Sequence, residues 1–398
     1  MELQRFGPRT SGVLVPSSGT DQSYGEWTHR AFVPDPLPDT TPNLGVAAFM
    51  RIADARAALA ALDSTARQLD NPQLLRQPTL RREAQSTSAL EGTYAPLGDV
   101  LTADEHDVQD LNLREVLNYV RMADAAYAGL SEERPLSVTR LCELQKVLVG
   151  GTRHEDSQSG QIRSVQVVVG QRQDVDRDLA PIFRSRFVPP PPGNDLRFQL
   201  ASLMEWKAAD HSRHIDPVAK SGMAHYQFET LHPFHDGNGR LGRFLMTVDL
   251  LTTGVLSEPT LTVSPWFEAR RTEYYDRLLA VSTDSDWDGW LAFYAEGLAA
   301  SAEATRTQML ALLEVRAEMT DAVRDSKLRA GTAFELVEYA VAHPSFTVRQ
   351  VQRNLGLSYG RANGLVDQLV GLGLLRELPA RGSGRRFYAP RVLEVLTS

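Results

Sequence analysis

Between His232 and Arg243 the chain reads His-Pro-Phe-His-Asp-Gly-Asn-Gly-Arg-Leu-Gly-Arg, a set of residues that no core-packing segment would collect. Gly237 and Gly239 flank Asn238, and the apolar positions that follow (Phe244, Leu245, Val248, Leu251) have helical spacing. The stretch is therefore a loop that delivers the chain to a helix N-terminus. There the glycines let backbone N–H groups converge on an anion, and the unsatisfied first-turn donors and the helix dipole favour phosphate. Arg240 and Arg243 add permanent charge with fork geometry. His232 is a base with an ordinary pKa near neutrality, and Asp236 is a hard-cation ligand. The combination suits binding a polyphosphate and activating a hydroxyl.

At 398 residues the chain has room for two or three domains. A net charge of −8 argues against wholesale binding to nucleic acid or an acidic membrane, although a local basic face is compatible with it. The single cysteine, Cys142, lies among Leu141, Leu144, Val147 and Leu148 and reads as a small buried hydrophobe. The sequence shows neither a long apolar run nor a signal-peptide core, so a reducing, cytoplasmic setting is expected.

Residues 1–25, rich in Gly, Ser, Thr and Pro, are expected to wrap the surface or stay loose, and the prolines from Pro34 to Pro42 to continue an extended segment. Phe49, Ala53, Ala57, Leu59 and Leu62 predict one long helix. A second is expected from Pro78 to Leu90, ending at Gly92, and two more over 105–128 and 136–149. The period then changes: Ile162, Val165, Val167 and Val169, between Gly160 and Gly170, read as a strand or hairpin. Helices are predicted for Leu196–Ala208, Val218–Leu231, Phe244–Leu251, Trp266–Ser282 and Trp287–Leu310. The charged residues from Arg316 to Arg329 read as a solvated helix or linker.

Residues 331–398 show three short helical patterns, then Leu374–Leu378, Gly382 to Gly384 and Arg386–Tyr388 as a two-stranded wing. This is the order of a winged helix-turn-helix. Its eight arginines against five acids make it mildly basic, and Arg361 and Asn363 on its third helix are candidate DNA contacts.

The loop resembles the signature H-x-F-x-[DE]-G-N-G-R-x-x-R of the Fic (filamentation-induced-by-cAMP) family. The helix Ala224–Leu231 and the hairpin Ser159–Gly170 resemble the elements that flank it there. The resemblance runs from about residue 30 to the end and implies a mostly α fold: a Fic-type helical bundle with a small β-hairpin flap, and a C-terminal winged helix-turn-helix domain. The expected domains are 1–110 (Fic-associated region with an inhibitory helix), 111–310 (catalytic core), 311–330 (linker helix) and 331–398 (winged helix). The implied activity is protein AMPylation, transfer of AMP from ATP with Mg²⁺ to a Ser, Thr or Tyr hydroxyl of a target protein, releasing pyrophosphate.

Carried over by position, His232 would deprotonate the hydroxyl and Asp236 would hold Mg²⁺. Gly237 to Gly239 would form the anion hole with Asn238 supporting the α-phosphate, and Arg240 and Arg243 would bind the outer phosphates. Phe234, Gly242 and Arg270 complete the nucleotide-binding set. Ile162, Arg163, Val165 and Val167 on the flap would position the target by strand addition. Upstream, Thr87-Ser88-Ala89-Leu90-Glu91-Gly92 resembles the family's inhibitory motif, in which Glu91 would pair with Arg243 and block the ATP γ-phosphate. Arg270 departs from the pattern, standing where an asparagine contacting the nucleotide is expected.

Other readings stay open. The chain could instead sense nucleotide and bind DNA as a regulator, transfer another phosphate-containing group, or remove AMP. The His211/His214 and His232/His235 spacings suggest zinc, but no further ligands can be assigned. Expected partners are a target protein or the chain itself, with DNA through the C-terminal domain and a homodimer left open, and no membrane.

Overall fold

The computed structural model describes residues 1–68, 73–103, 108–129, 136–176, 178–328, 331–378 and 385–397. It is mostly helical, with small antiparallel sheets. The N-terminal segment expected to be loose is instead a hairpin. β1 (Gly12–Asp21) pairs in full register with β2 (Gly25–Pro34) around a turn in which Gly25 takes φ +80°. The β-branched and aromatic residues Val13, Val15, Trp27, Phe32 and Val33 carried this signal, masked by the turn-forming composition. Ala31 and Met1 pack with Ala180, Ile182 and Val188 in a small core beside the flap.

Helix α1 (Val46–Arg67) buries Ala48, Ile52, Ala55, Leu59 and Leu62. Its inward stripe is thus one residue off the one predicted at its start, and Phe49 is 53% exposed. Helix α2 (Gln73–Leu90) starts ahead of Pro78 and ends where predicted, with Gly92 at φ +93° turning the chain. After α3 (Leu97–Thr102), α4 (Leu111–Tyr127) is capped by Asp110, and α5 (Val138–Val149) by Ser137. Residues 105–107 of the predicted 105–128 helix lie outside the described residues.

The predicted 162–169 strand is corrected. Regular pairing is confined to β3 (Val169–Gln171) against β4 (Ser185–Phe187), joined through the short α6 (Pro181–Arg184). Ile162 and Arg163 turn inward and are buried, so the alternation there reflects burial of single side chains rather than a ladder.

Helices α7 (Asn194–Ala208), α8 (Pro217–Leu231) and α9 (Asn238–Thr252) form the centre, with α8 leading into the His232 loop. Helix α9 begins inside the glycine pattern rather than at Phe244. The predicted 266–282 helix breaks at Arg270 into α10 (Ser264–Ala269) and α11 (Arg271–Asp284). Beyond it a single helix, α12 (Trp287–Asp325), absorbs most of the charged stretch as well; Leu312, Val315, Met319 and Val323 give that stretch an inward face.

The C-terminal residues form α13 (Gly331–Ala342), β5 (Phe346–Thr347), α14 (Val348–Asn354), α15 (Tyr359–Gly371), β6 (Arg376–Glu377), β7 (Arg386–Tyr388) and α16 (Pro390–Thr397). The strands order as β5-β7-β6. Gly382 to Gly384 of the predicted wing, with Arg381, and Arg329 of the charged stretch lie outside the described residues.

Two large cores result. One unites α4, α5, α7 and the inner faces of α8 and α9. The other runs from α1 along α12 and continues without a break into Leu336, Val351, Leu365 and Leu396. Among the described residues, no helix is long and apolar enough to cross a membrane.

Candidate active site

Helix α8 is started by Asp216, whose side chain accepts from Val218 N–H at 2.8 Å, and stopped by His232 in the left-handed region at φ 47°. That conformation is strained for a non-glycine residue, and the surrounding contacts hold it there. Arg163 is buried and donates to the carbonyls of His232 (2.8 Å), Val165 (3.2 Å) and Pro190 (2.6 Å), while its own N–H donates to Pro233 O (2.9 Å). The residue expected to touch the target thus pins the His232 loop from behind.

The loop is stapled from within. Asn238 Oδ1 accepts from Phe234 N–H and its Nδ2 donates to Phe234 O, both at 2.9 Å, so this side chain is committed to loop shape. Phe234 is wholly buried in the core beneath and anchors the loop there. Gln145 on α5, which the sequence gave no reason to single out, donates to Asp236 O at 3.1 Å and accepts from Gly160 N–H at 2.5 Å, tying loop to flap base.

No side chain caps α9, because Gly237 sits at its N-cap with φ 86°. The N–H groups of Asn238, Gly239 and Arg240 thereby remain for an anion, as first-turn donors do. Space over this turn is tight: a Cβ on Gly239 would collide with Glu91 Oε1, and one on Gly242 with Glu229 Oε1.

His232 is half-buried, and its Nδ1–H donates to Glu229 O at 3.3 Å, which leaves the Nε2 lone pair for a substrate proton. Burial first, then the Arg163 guanidinium, pushes the imidazole pKa down to about 4. The ring is therefore neutral and competent as a base at pH 7.

Arg240 is buried between two carboxylates, donating from Nη1 to Glu115 Oε1 at 2.7 Å and from Nη2 to Asp236. The other oxygen of Asp236 lies 3.8 Å from His154 Nδ1 and is otherwise open. Mg²⁺ characteristically takes one or two carboxylates plus substrate phosphates, and this lone, partly exposed carboxylate beside an anion-binding turn fits that mode. Among the described residues there is no group of three or more ligating side chains of the kind that a zinc site needs.

Arg243 is buried. Its Nε donates to Thr87 Oγ1 at 2.7 Å, and Nη2 donates to Thr87 O at 3.0 Å and to Glu91 Oε1 at 2.6 Å. Burial pushes the Glu91 carboxyl up, but Arg243, together with Arg240 and His232, holds the group below its ordinary pKa. Arg243 Nη1 and Glu229 Oε1 are buried without a hydrogen-bond partner among the described residues, which marks unfilled polar space at the turn. Burial raises the Glu229 pKa to about 8, against the pull of Arg243. His225, also unsought by the sequence reading, donates from Nδ1 to Gly242 O (3.1 Å) and accepts at Nε2 from Tyr274 OH (2.7 Å), locking α9 to α8 and α11.

The structure thus brings together His232, Asp236, Gly237, Asn238, Gly239, Arg240, Gly242, Arg243 and Glu91. It does not bring in Arg270, which lies exposed at the α10–α11 break with its guanidinium 4.3 Å from the Trp266 ring centre. Val165 is 48% exposed on the flap and Val167 is half-buried.

Fold and loop together define a helical protein whose glycine-rich turn opens an uncapped helix N-terminus. Residues 49–128 match the Fic/DOC family N-terminal model and residues 135–250 match the Fic/DOC family model. The chain is similar to the proteins named Protein adenylyltransferase Fic of Drosophila ananassae and Drosophila melanogaster. Each is 28% identical over 214 residues, covering 54% of this chain and 36% of the relative, so the chain spans about a third of those relatives' length. Its fold is shared with the crystal structure of a Fic family protein from Desulfovibrio desulfuricans G20, with a TM-score of 0.54 at 19% identity, covering 88% of this chain and 98% of that one.

Proposed function

We propose that the chain is an autoinhibited protein adenylyltransferase that transfers AMP from ATP to a Ser, Thr or Tyr hydroxyl of a target protein or of itself. The observation that carries this reading is the 2.6 Å bond from Arg243 to Glu91 above a complete His232–Arg243 loop. His232 Nε2 takes the hydroxyl proton, and the oxygen attacks the α-phosphorus as pyrophosphate leaves. The N–H groups at the start of α9 hold the developing charge, and Asp236 would hold Mg²⁺, which would supply charge neutralisation at the phosphates. Such transfers depend mainly on positioning and electrostatics. Glu91 occupies the guanidinium that the outer phosphates would need.

The order α13-β5-α14-α15-β6-β7 supports a winged-helix reading of the C-terminal residues. Asn363 donates to Asp367 and accepts from Arg385, which also pairs with Glu377. These bonds occupy Asn363, one of the two candidate DNA contacts, and favour a protein partner for this domain.

Incubation with labelled ATP, Mg²⁺ and cell lysate tests the activity. Glu91→Gly labels protein, wild type labels little, and His232→Ala labels none. Equal labelling by Glu91→Gly and Glu91→Gly/His232→Ala overturns the reading, and intact mass separates AMP from phosphate, UMP or phosphocholine.

A further inference from the structure

Glu115 lies on α4, remote in sequence from both the loop and Glu91, and its side chain is only 2% exposed. One of its oxygens gathers two bonds: Oε1 accepts from Arg240 Nη1 at 2.7 Å and from Thr93 Oγ1 at 2.8 Å. Its second oxygen is buried without a hydrogen-bond partner among the described residues, with His154 Nε2 3.8 Å away. Thr93 belongs to the segment that closes α2: its N–H donates to Ser88 O at 3.0 Å, as the N–H of Gly92 does to Ala89 O. The segment therefore meets the loop twice. Glu91 takes Arg243 directly, and Thr93 reaches Arg240 through Glu115.

We infer that Glu115 is a positioning residue through which Thr93 fastens the inhibitory segment to the first arginine of the loop, a second latch beside Glu91–Arg243. A buried carboxylate shared by a guanidinium and a hydroxyl is a strong acceptor for both, and losing either donor leaves it poorly satisfied. Opening the site thus means parting two contacts in one segment. The latch itself stands on geometry; its consequence for catalysis rests on the adenylyltransferase reading.

Hydrogen exchange at the amides of residues 91–93 in the nucleotide-free, full-length protein reads the latch without any reaction. Thr93→Val, which keeps the shape and removes the donor, raises exchange there roughly tenfold, the factor one such bond is worth. Thr93→Ser restores it. Glu115→Gln raises exchange less, and Thr93→Val/Glu115→Gln no more than Thr93→Val alone, because both changes act on one contact. AMP labelling by Thr93→Val rises in parallel, whereas adding Thr93→Val to Glu91→Gly adds little. Unchanged exchange at 91–93, or an increase spread equally over α8 and α12, overturns the inference, as does local opening with no gain in labelling while Glu91→Gly labels well. Local opening with no labelling by any variant, Glu91→Gly included, upholds the latch and overturns the activity instead. Should Glu115→Gln fail to fold, the Thr93→Val and Thr93→Ser pair decides alone.

Discussion

Arg243 donates to Glu91 Oε1 at 2.6 Å while Thr87 of the same helix end holds its Nε, so the inhibitory segment both orients this guanidinium and occupies it. The folded-state pKa of Glu91 is depressed, so its contribution is fully present above its unfolded value and is lost only as pH falls through the folded one. Mild acidification should leave the block intact: ATP binding by the wild type stays weak from pH 8 to pH 5. Glu91→Gln keeps the shape but removes the charge and should tighten binding by about tenfold or more, measurable by titration calorimetry. Unchanged affinity in this variant would mean that Glu91 is not what competes with nucleotide.

His225 supplies a different pH dependence. Burial, then Arg243, pushes its pKa down to about 3, while its unfolded value is near 6.5. Between those values the unfolded chain binds the extra proton, so His225 makes stability rise with pH up to about 6.5, by up to about 1.4 kcal/mol per unit. His225→Gln should flatten the dependence of the urea midpoint on pH across pH 4–6.5. A slope unaffected by this change would show that His225 is not the group that titrates.

Arg163 should be intolerant of change. Its guanidinium is surrounded by carbonyl oxygens, and burial pushes its pKa down to about 10. Arg163→Ala strands the carbonyls of His232 and Pro190 in the interior and should cost about 3–5 kcal/mol of stability. Arg163→Lys keeps a charge but cannot span those acceptors, so it should lower kcat with little change in nucleotide affinity. A lysine variant with wild-type kcat would assign Arg163 to the scaffold alone.

The sequence made the loop legible because phosphate chemistry needs particular residue types in tight succession, and Gly237–Arg243 has no competing structural explanation. It also marked Glu91, although only through resemblance. Glu115, Gln145 and His225 escaped because each is one polar residue among several in its helix, and nothing local says which of them turns inward or which loop it will meet. Arg163 was assigned the wrong face for the same reason: alternation says that a side chain is turned inward or outward, not what a buried guanidinium would bind. The N-terminal hairpin was hidden by Gly, Ser and Pro in its strands. The α9 start was missed because Asn238 and Gly239 are poor helix formers, held in a first turn by the Asn238–Phe234 staple.

Gly242 faces a crowded point of the site, where an added methyl would overlap Glu229 Oε1 and approach His225 Cε1 at 3.3 Å. Glu229 is the far end of a side chain and could swing aside, but the His225 ring is fixed by Gly242 O and Tyr274 OH and cannot. Gly242→Ala should therefore cost about 1–3 kcal/mol of stability, as overpacking in a close-packed interior does, and should lower nucleotide affinity by displacing the adjacent Arg243. Thermal unfolding with and without Mg-ATP checks both effects. A variant as stable as the wild type, with the same shift on adding nucleotide, would show that Gly242 is chosen for something other than space.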